Sequence, residues 1–345
     1  MRLNGQRPAV IYWNGPLEAG AGYGASLMET HETRPRRRLT ATTSLWHRMR
    51  RWRSAVAFPL LAFALLSALM AAPVANAATG TLPAFDHVYL IVMENREYAS
   101  IVGNPNAPYI NSLVRRYGLA TDYHAISHPS EPNYLALFGG STFDVTTDGT
   151  FNLGASNLAD QLRRAGQQWH VYEQDFPGHC STVSIAKGGP DLVGAGGYYV
   201  RKHNPAISFT DISRRPRRCA NITSLASFSP SAANFELIVP NTYNDMHDGS
   251  TTAGDAFLKS FVPLVTGSPA FAHSLLLITW DEGTAGKSGG GHVATLVISP
   301  LLKSAGMQSS VAHNHYSLLR TIESGLGLPC LRSACTANDL AEFFR

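Results

Sequence analysis

Beyond its first quarter, the chain alternates short, continuous apolar runs with amphipathic stretches. "HVYLIVM" (87–93), "QWHVYEQD" (168–175), "NFELIVPN" (234–241), "SLLLITWDE" (274–282) and "HVATLVISP" (292–300) have the length and β-branched content of buried strands. Between them, "PYINSLVRRYG" (108–118), "EPNYLALFGG" (131–140), "NLADQLRRAG" (157–166), "AGDAFLKSFVPLV" (253–265) and "HYSLLRTIESGLG" (315–327) read as helices, several closed by a glycine stop signal. "ATDYHAI" (120–126) is a further candidate strand. Strands alternating with helices predict an α/β fold, a three-layer sandwich with a mostly parallel central sheet covered on both faces. The stretch 176–233, rich in Gly, Pro, Ser and Arg, breaks the rhythm and reads as a loop-rich insertion. No internal repeat appears.

The first quarter follows another pattern. Residues 50–77, "RRWRSAVAFPLLAFALLSALMAAPVANA", join a basic start, an apolar stretch and an A-x-A ending at Ala75-Asn76-Ala77. A cleaved signal peptide is favoured over a membrane anchor, with the exported chain starting near Ala78 and residues 1–48 as an upstream extension. The domain is thus expected over 78–345. This division changes the charge balance. Residues 1–77 carry 10 Arg against 3 Glu, so the whole-chain charge of +4 leaves about −3 on the rest. That balance argues against a nucleic-acid partner. The one basic cluster, "RRPRRC" (214–219), reads as a solvated loop or an attraction for an anionic lipid surface. Four cysteines in an exported chain read as two disulfides, with Cys180–Cys219 and Cys330–Cys335 favoured among three connectivities.

In open parallel sheets the site lies beyond the carboxyl ends of the strands. Here Glu94-Asn95-Arg96 follows the first strand, "NTYNDMHDG" (241–249) another, and Asp281-Glu282 a third. Ser130, in "SHPSEPNY", stands between two prolines at the start of a helix. One reading is an N-cap; the other is a nucleophile held at an anion site. Glu94, Asn95, Asp281, Glu282 and the Ser130 oxygen form a five-oxygen set suited to a divalent metal ion. Such a metal would lower the Ser130 pKa and offset charge on a phosphoryl oxygen. Asn133 is placed to donate to another phosphoryl oxygen, and His247 and Asp245 to bind the phosphoryl group or protonate the leaving oxygen.

"HVYLIVMEN", "APYINSLV", "SHPSEPNYLALF", "YVRKHNP", "NDMHDG", "LLLITWDE" and "HYSLLRTIE" resemble the bacterial phosphoesterase family of acid phosphatases and phospholipases C. The motifs occur in the family's order over nearly all of the exported chain. The resemblance implies an alkaline-phosphatase-like fold, a serine that attacks phosphorus and a metal bound by Glu94, Asn95, Asp281 and Glu282. It runs nearest to secreted acid phosphatases that act on phosphatidylinositol 3-phosphate, which implies a phosphate-ester substrate and a lipid surface as partner. The sequence lacks an Asp-His pair at 281–282, against a second metal. His203 in "YVRKHNP" is a phosphate contact or a structural histidine, and His292 a ligand, a proton donor or a wall of the site. His128 reads as packing beside Ser130, and His315 as a helix cap or a site residue.

The expectation is a secreted, metal-assisted phosphomonoesterase working through a phosphoserine. The rival enzyme is a phospholipase C-type diesterase. A rival of another class is a silent protein that holds lipid headgroups.

Overall fold

β1 (His87–Met93) is buried at all but its first residue, as a run of Val, Leu, Ile and Met demands in the middle of a sheet. The computed structural model describes residues 82–186, 197–284 and 289–344. The expected leader, its cleavage site and the upstream extension lie outside the described residues.

After β1 come α1 (Pro108–Arg116), β2 (Gly118–Ala120), β3 (Tyr123–His124), α2 (Ser130–Gly139), α3 (Leu158–Arg164) and β4 (Trp169–Glu173). The insertion holds β5 (Ile185–Ala186), β6 (Tyr199–Val200), α4 (Thr210–Ser213), α5 (Pro216–Cys219) and β7 (Ile222–Ser224). β8 (Phe235–Val239), α6 (Thr251–Thr266), β9 (Ser274–Trp280), β10 (Thr295–Ile298), β11 (Gln308–Ser309), β12 (His313–Asn314) and α7 (His315–Gly325) complete the order.

The main sheet has eight strands in the order β11-β2-β10-β9-β1-β8-β4-β7. β9, β1, β8, β4 and β7 run parallel, while β10 is antiparallel to both β9 and β2. Successive residues of a strand point to opposite faces. The complete burial of β8 and β9 therefore requires cover on both faces. Helices supply it, with α1 packed on α6 and α2 on α7. Each large aliphatic side chain buried in these layers contributes roughly 1.5–3 kcal/mol. The predicted α/β class, with a mostly parallel central sheet, is the class observed.

Local chemistry fixes the element ends. Asn157 and Asp160 form a reciprocal capping box on α3, and Asn314 and Ser317 form one on α7. α2 stops at Gly140, whose φ of 70° is left-handed, and a Cβ there would lie 2.5 Å from Leu331 O. Every residue of α2 is buried, so the helix is enclosed on all sides.

Two expectations change. "ATDYHAI" is not one strand: β2 joins the main sheet, but β3 leaves it to pair with β12. The polar pair Thr121-Asp122 interrupts the run, and Thr121 binds Ser309 O through both its N–H and its hydroxyl. The insertion is also more than loop, because β7 forms an edge strand beside β4. Both favoured disulfides are present, with Cα–Cα distances of 5.5 Å for Cys180–Cys219 and 5.0 Å for Cys330–Cys335.

Candidate active site

The carboxyl ends of β1, β8 and β9 lie side by side because these strands are neighbours in register. Glu94 and Asn95 leave β1, Asp281 and Glu282 leave β9, and Asp245 lies in the loop after β8. The Asn95 N–H donates to Asp281 Oδ1 at 3.1 Å, and the Asn95 side-chain amide to Glu94 Oε2 at 2.9 Å. Asn95 has a φ of 51°, which an Asn tolerates, whereas Met246 at φ 86° is strained. Arg96 clamps the Met246 loop by donating to the carbonyls of Met246 and Gly249 at 2.9 and 2.8 Å.

Ser130 enters this group from the start of α2. It is the first helical residue, and Pro129, not Ser130, occupies the cap position. Its hydroxyl is completely buried and lies 3.2 Å from both Glu94 Oε2 and Glu282 Oε1. The Lys202 ammonium stands 3.5 Å from the same oxygen and 2.9 Å from Asp148. His128 pairs with the other oxygen of Glu282. The Ser130 oxygen thus sits among two carboxylates and one ammonium, at the positive end of a helix.

Behind Ser130, the His203 ring lies between Glu94 Oε1 at 3.3 Å and Asp245 Oδ2 at 3.5 Å. Tyr134, one turn into α2, stacks on that ring and donates to Glu94 Oε1 at 2.5 Å. Burial, then the charges of Asp281 and Asp245, raises the Glu94 pKa well above the carboxylate range. Burial, then Glu282, pushes Asp281 up to about 7. Burial likewise lifts Asp245 and, less strongly, Glu282, and it holds His203 well below an ordinary histidine. Burial disfavours the Lys202 charge, but Asp148, Glu94 and Asp281 hold its pKa above the usual value.

So many buried acids around so few cations call for another positive charge. One buried carboxylate oxygen with no hydrogen-bond partner, Asp281 Oδ2, supports the same conclusion. Glu94, His203 and Asp245 each offer a ligand atom, all within 4.8 Å of one another. Oxygen donors with one imidazole fit a hard or borderline divalent ion. The described residues thus carry a metal-binding donor set, with Glu94 common to the Ser130 side and the His203 side.

The structure brings together Glu94, Asn95, Ser130, Asp281, Glu282 and His203. It places the other candidates differently. Asn133 turns its amide onto its own loop. Its oxygen accepts from the N–H groups of Ile126 and Ser127 at 2.9 and 3.1 Å, and its NH2 donates to Ser127 O and Pro129 O at 2.8 and 3.2 Å. With the amide so engaged, Asn133 holds the loop that presents Ser130. Asp245 is fully buried beside His203, with its other oxygen taken by the His247 N–H at 2.6 Å, an arrangement that holds the His203 and His247 segments together. His247 is about one-third exposed, 2.7 Å from Asp248, with its ring centroid 6.0 Å from that of His203. His292 lies outside the cluster: it stacks between Tyr98 and His124 and contacts Thr121 O at 2.9 Å. His315 is buried beneath Asp281, against its carbonyl at 2.5 Å. Lys202 and Tyr134 escaped the sequence reading, although both lie inside its quoted motifs, beside His203 and Asn133.

A fold of this class with acids at its strand ends, and a serine and a lysine brought to them from a helix start and an insertion, suits hydrolysis of phosphate esters. The chain belongs to the Phosphoesterase family, whose pattern matches residues 104–329. It is 33% identical over 296 residues to the phosphatidylinositol-3-phosphatase of Mycobacterium tuberculosis, covering 85% of this chain and 94% of that protein. It is 32% identical over 273 residues to an acid phosphatase of Aspergillus fumigatus, covering 74% of this chain and 58% of the fungal protein. The chain therefore spans less than two thirds of that fungal relative. Among solved structures, the lipoteichoic acid synthase LtaP from Listeria monocytogenes shares the fold, with a TM-score of 0.50 at 7% identity over 74% of this chain and 75% of that one.

Proposed function

We propose that this chain is an exported phosphomonoesterase in which Ser130 attacks phosphorus, acting on a phosphoinositide such as phosphatidylinositol 3-phosphate. The observation that carries the reading is the Ser130 hydroxyl, buried between two carboxylates and a lysine and doing no work as a cap. The relatives' phosphatase names support a monoester, and the phosphatidylinositol-3-phosphatase supports the lipid. Two disulfides support an oxidising compartment.

As the Ser130 Oγ–P bond forms, the hydroxyl proton passes to the carboxylate pair of Glu94 and Glu282, which it already faces. His128 holds Glu282 in place for that transfer. Lys202 and the first turn of α2 face the phosphoryl oxygens as charge moves onto them. The bond from phosphorus to the leaving oxygen breaks, and His247 donates the proton that oxygen needs. Water then attacks the phosphoserine with its proton passing to His247, and Ser130 recovers its own proton as inorganic phosphate departs. Glu94, Asn95, Asp281 and Glu282, backed by Asp245 and His203, are the residues that would hold a divalent ion. Such an ion supplies positive charge beside the phosphoryl group and lowers the serine pKa.

Acid quench of the enzyme with labelled substrate tests the reading. Label on Ser130 is expected, and label elsewhere or on no residue would overturn the phosphoserine. Release assays on phosphatidylinositol 3-phosphate, an aryl phosphate and phosphatidylcholine separate the substrate classes. Faster cleavage of phosphatidylcholine would establish the phospholipase C alternative.

A further inference from the structure

The insertion and α3 beside it carry a feature the catalytic centre does not use. α3, α4 and α5 enclose a cleft of about 890 Å³ whose wall includes six arginines: Arg163, Arg164, Arg214, Arg215, Arg217 and Arg218. Among the described residues only Arg218 of the six has acidic partners, Asp160 at 2.7 Å and Asp211. The other five are exposed. Five unpaired guanidinium groups around one concavity repel one another, and an anionic occupant removes that repulsion. The concentration is local, since the chain beyond residue 77 carries a net charge of about −3.

The neighbouring surface carries exposed apolar side chains. Pro216 lines both this cleft and an adjacent hollow of about 950 Å³ that runs past Cys180, Cys219 and Ala186. The Cys180–Cys219 disulfide ties the segment leading to β5 directly to α5, with the two Cα atoms 5.5 Å apart. On that tied segment Val183 is 46% exposed and Ile185 62% exposed, two of the most exposed large apolar side chains among the described residues. Ile185 pairs with Val200, two residues before Lys202 of the catalytic cluster. A basic cleft between α3 and the insertion, apolar tips bound to it by a disulfide, and a direct strand connection to the site thus adjoin one another.

We propose that this insertion is a membrane-docking face for anionic phospholipid, with the arginine cleft taking lipid phosphates and Val183 and Ile185 entering the interface. Basic groups draw the protein to an anionic surface, and the apolar tips hold it there. The face deepens the phosphoinositide reading, because it brings Lys202 and Ser130 to a lipid phosphate presented at the surface.

Sedimentation of the full chain with vesicles tests the proposal, comparing phosphatidylcholine alone with phosphatidylcholine containing phosphatidylserine, at low and high salt. Binding to the anionic vesicles is expected, weakening with salt, with little binding to the neutral ones. R214Q/R215Q/R217Q is expected to lower affinity for anionic vesicles on the order of a hundredfold, at about fivefold per charge. Ile185→Ser is expected to lower it about tenfold through lost apolar burial. Both variants are expected to keep wild-type turnover of a soluble aryl phosphate, which checks the fold and the site. Equal binding to neutral and anionic vesicles, or unchanged binding by the triple variant, would overturn the proposal. So would protection of these arginines by inorganic phosphate or a soluble polyanion without vesicle binding. A chain that binds anionic vesicles yet releases no phosphate would refute the function and leave the docking face standing.

Discussion

Ser130→Ala separates catalysis from structure at the centre of the site. The substitution removes one oxygen, and with it two contacts of 3.2 Å to Glu94 and Glu282 and one of 3.5 Å from Lys202, which keeps Asp148. No N-cap is lost, because Pro129 and not Ser130 holds the cap position. The carboxylates keep other partners: Tyr134 and Asn95 on Glu94, and His128 on Glu282. The structural cost should therefore stay at or below about 1 kcal/mol, a fall in Tm of about 2–4 °C for a domain of this size. A nucleophile, by contrast, has no substitute within reach, and its loss should lower turnover of an aryl phosphate by about four to six powers of ten. Scanning calorimetry and phosphate release, run on the same preparation, read the two quantities. A variant that melts markedly early yet turns over at a near-normal rate would refute the reasoning and make Ser130 a structural residue.

Asp281→Ala removes an anionic ligand from the donor set and is expected to lose both bound divalent metal and turnover; metal analysis of the purified variant would contradict this if the content were unchanged. Asn133→Ala breaks the four bonds that hold the loop before Ser130. It should cost about 1–3 kcal/mol of stability and lower kcat with the nucleophile still present, whereas loss of kcat alone, at an unchanged Tm, would return Asn133 to direct contact with substrate. Glu236, buried on β8, is pushed by burial from 4.5 up to about 8. Its contribution to stability is therefore complete below about pH 4.5 and lost as pH rises through about 8, a few kcal/mol in all. Glu236→Gln should flatten the fall in Tm between those limits, and an unchanged pH profile would remove Glu236 as its cause.

The strands were legible because their signal is local. "HVYLIVM", "NFELIVPN" and "SLLLITWDE" can bury their apolar runs only as inner strands of a covered sheet, and β1, β8 and β9 do so. The acids and the amide placed at their carboxyl ends then meet without further instruction, which is how Glu94, Asn95, Asp281 and Glu282 could be read from the chain. The Ser-Pro setting of Ser130 at a helix start was likewise a local property. Tertiary structure decided what sequence separation hides. It placed His203 and Lys202, carried by an irregular insertion with no periodic signal, against Glu94 and Ser130. It turned the Asn133 amide onto the backbone of its own loop, where four unpaired polar groups needed it, and it drew His292 into an aromatic stack away from the acids. Backbone patterning fixes which residues stand at the end of a strand. Which way a polar side chain then turns depends on whichever buried partner would otherwise go unpaired, and such partners are gathered from distant parts of the chain only by folding.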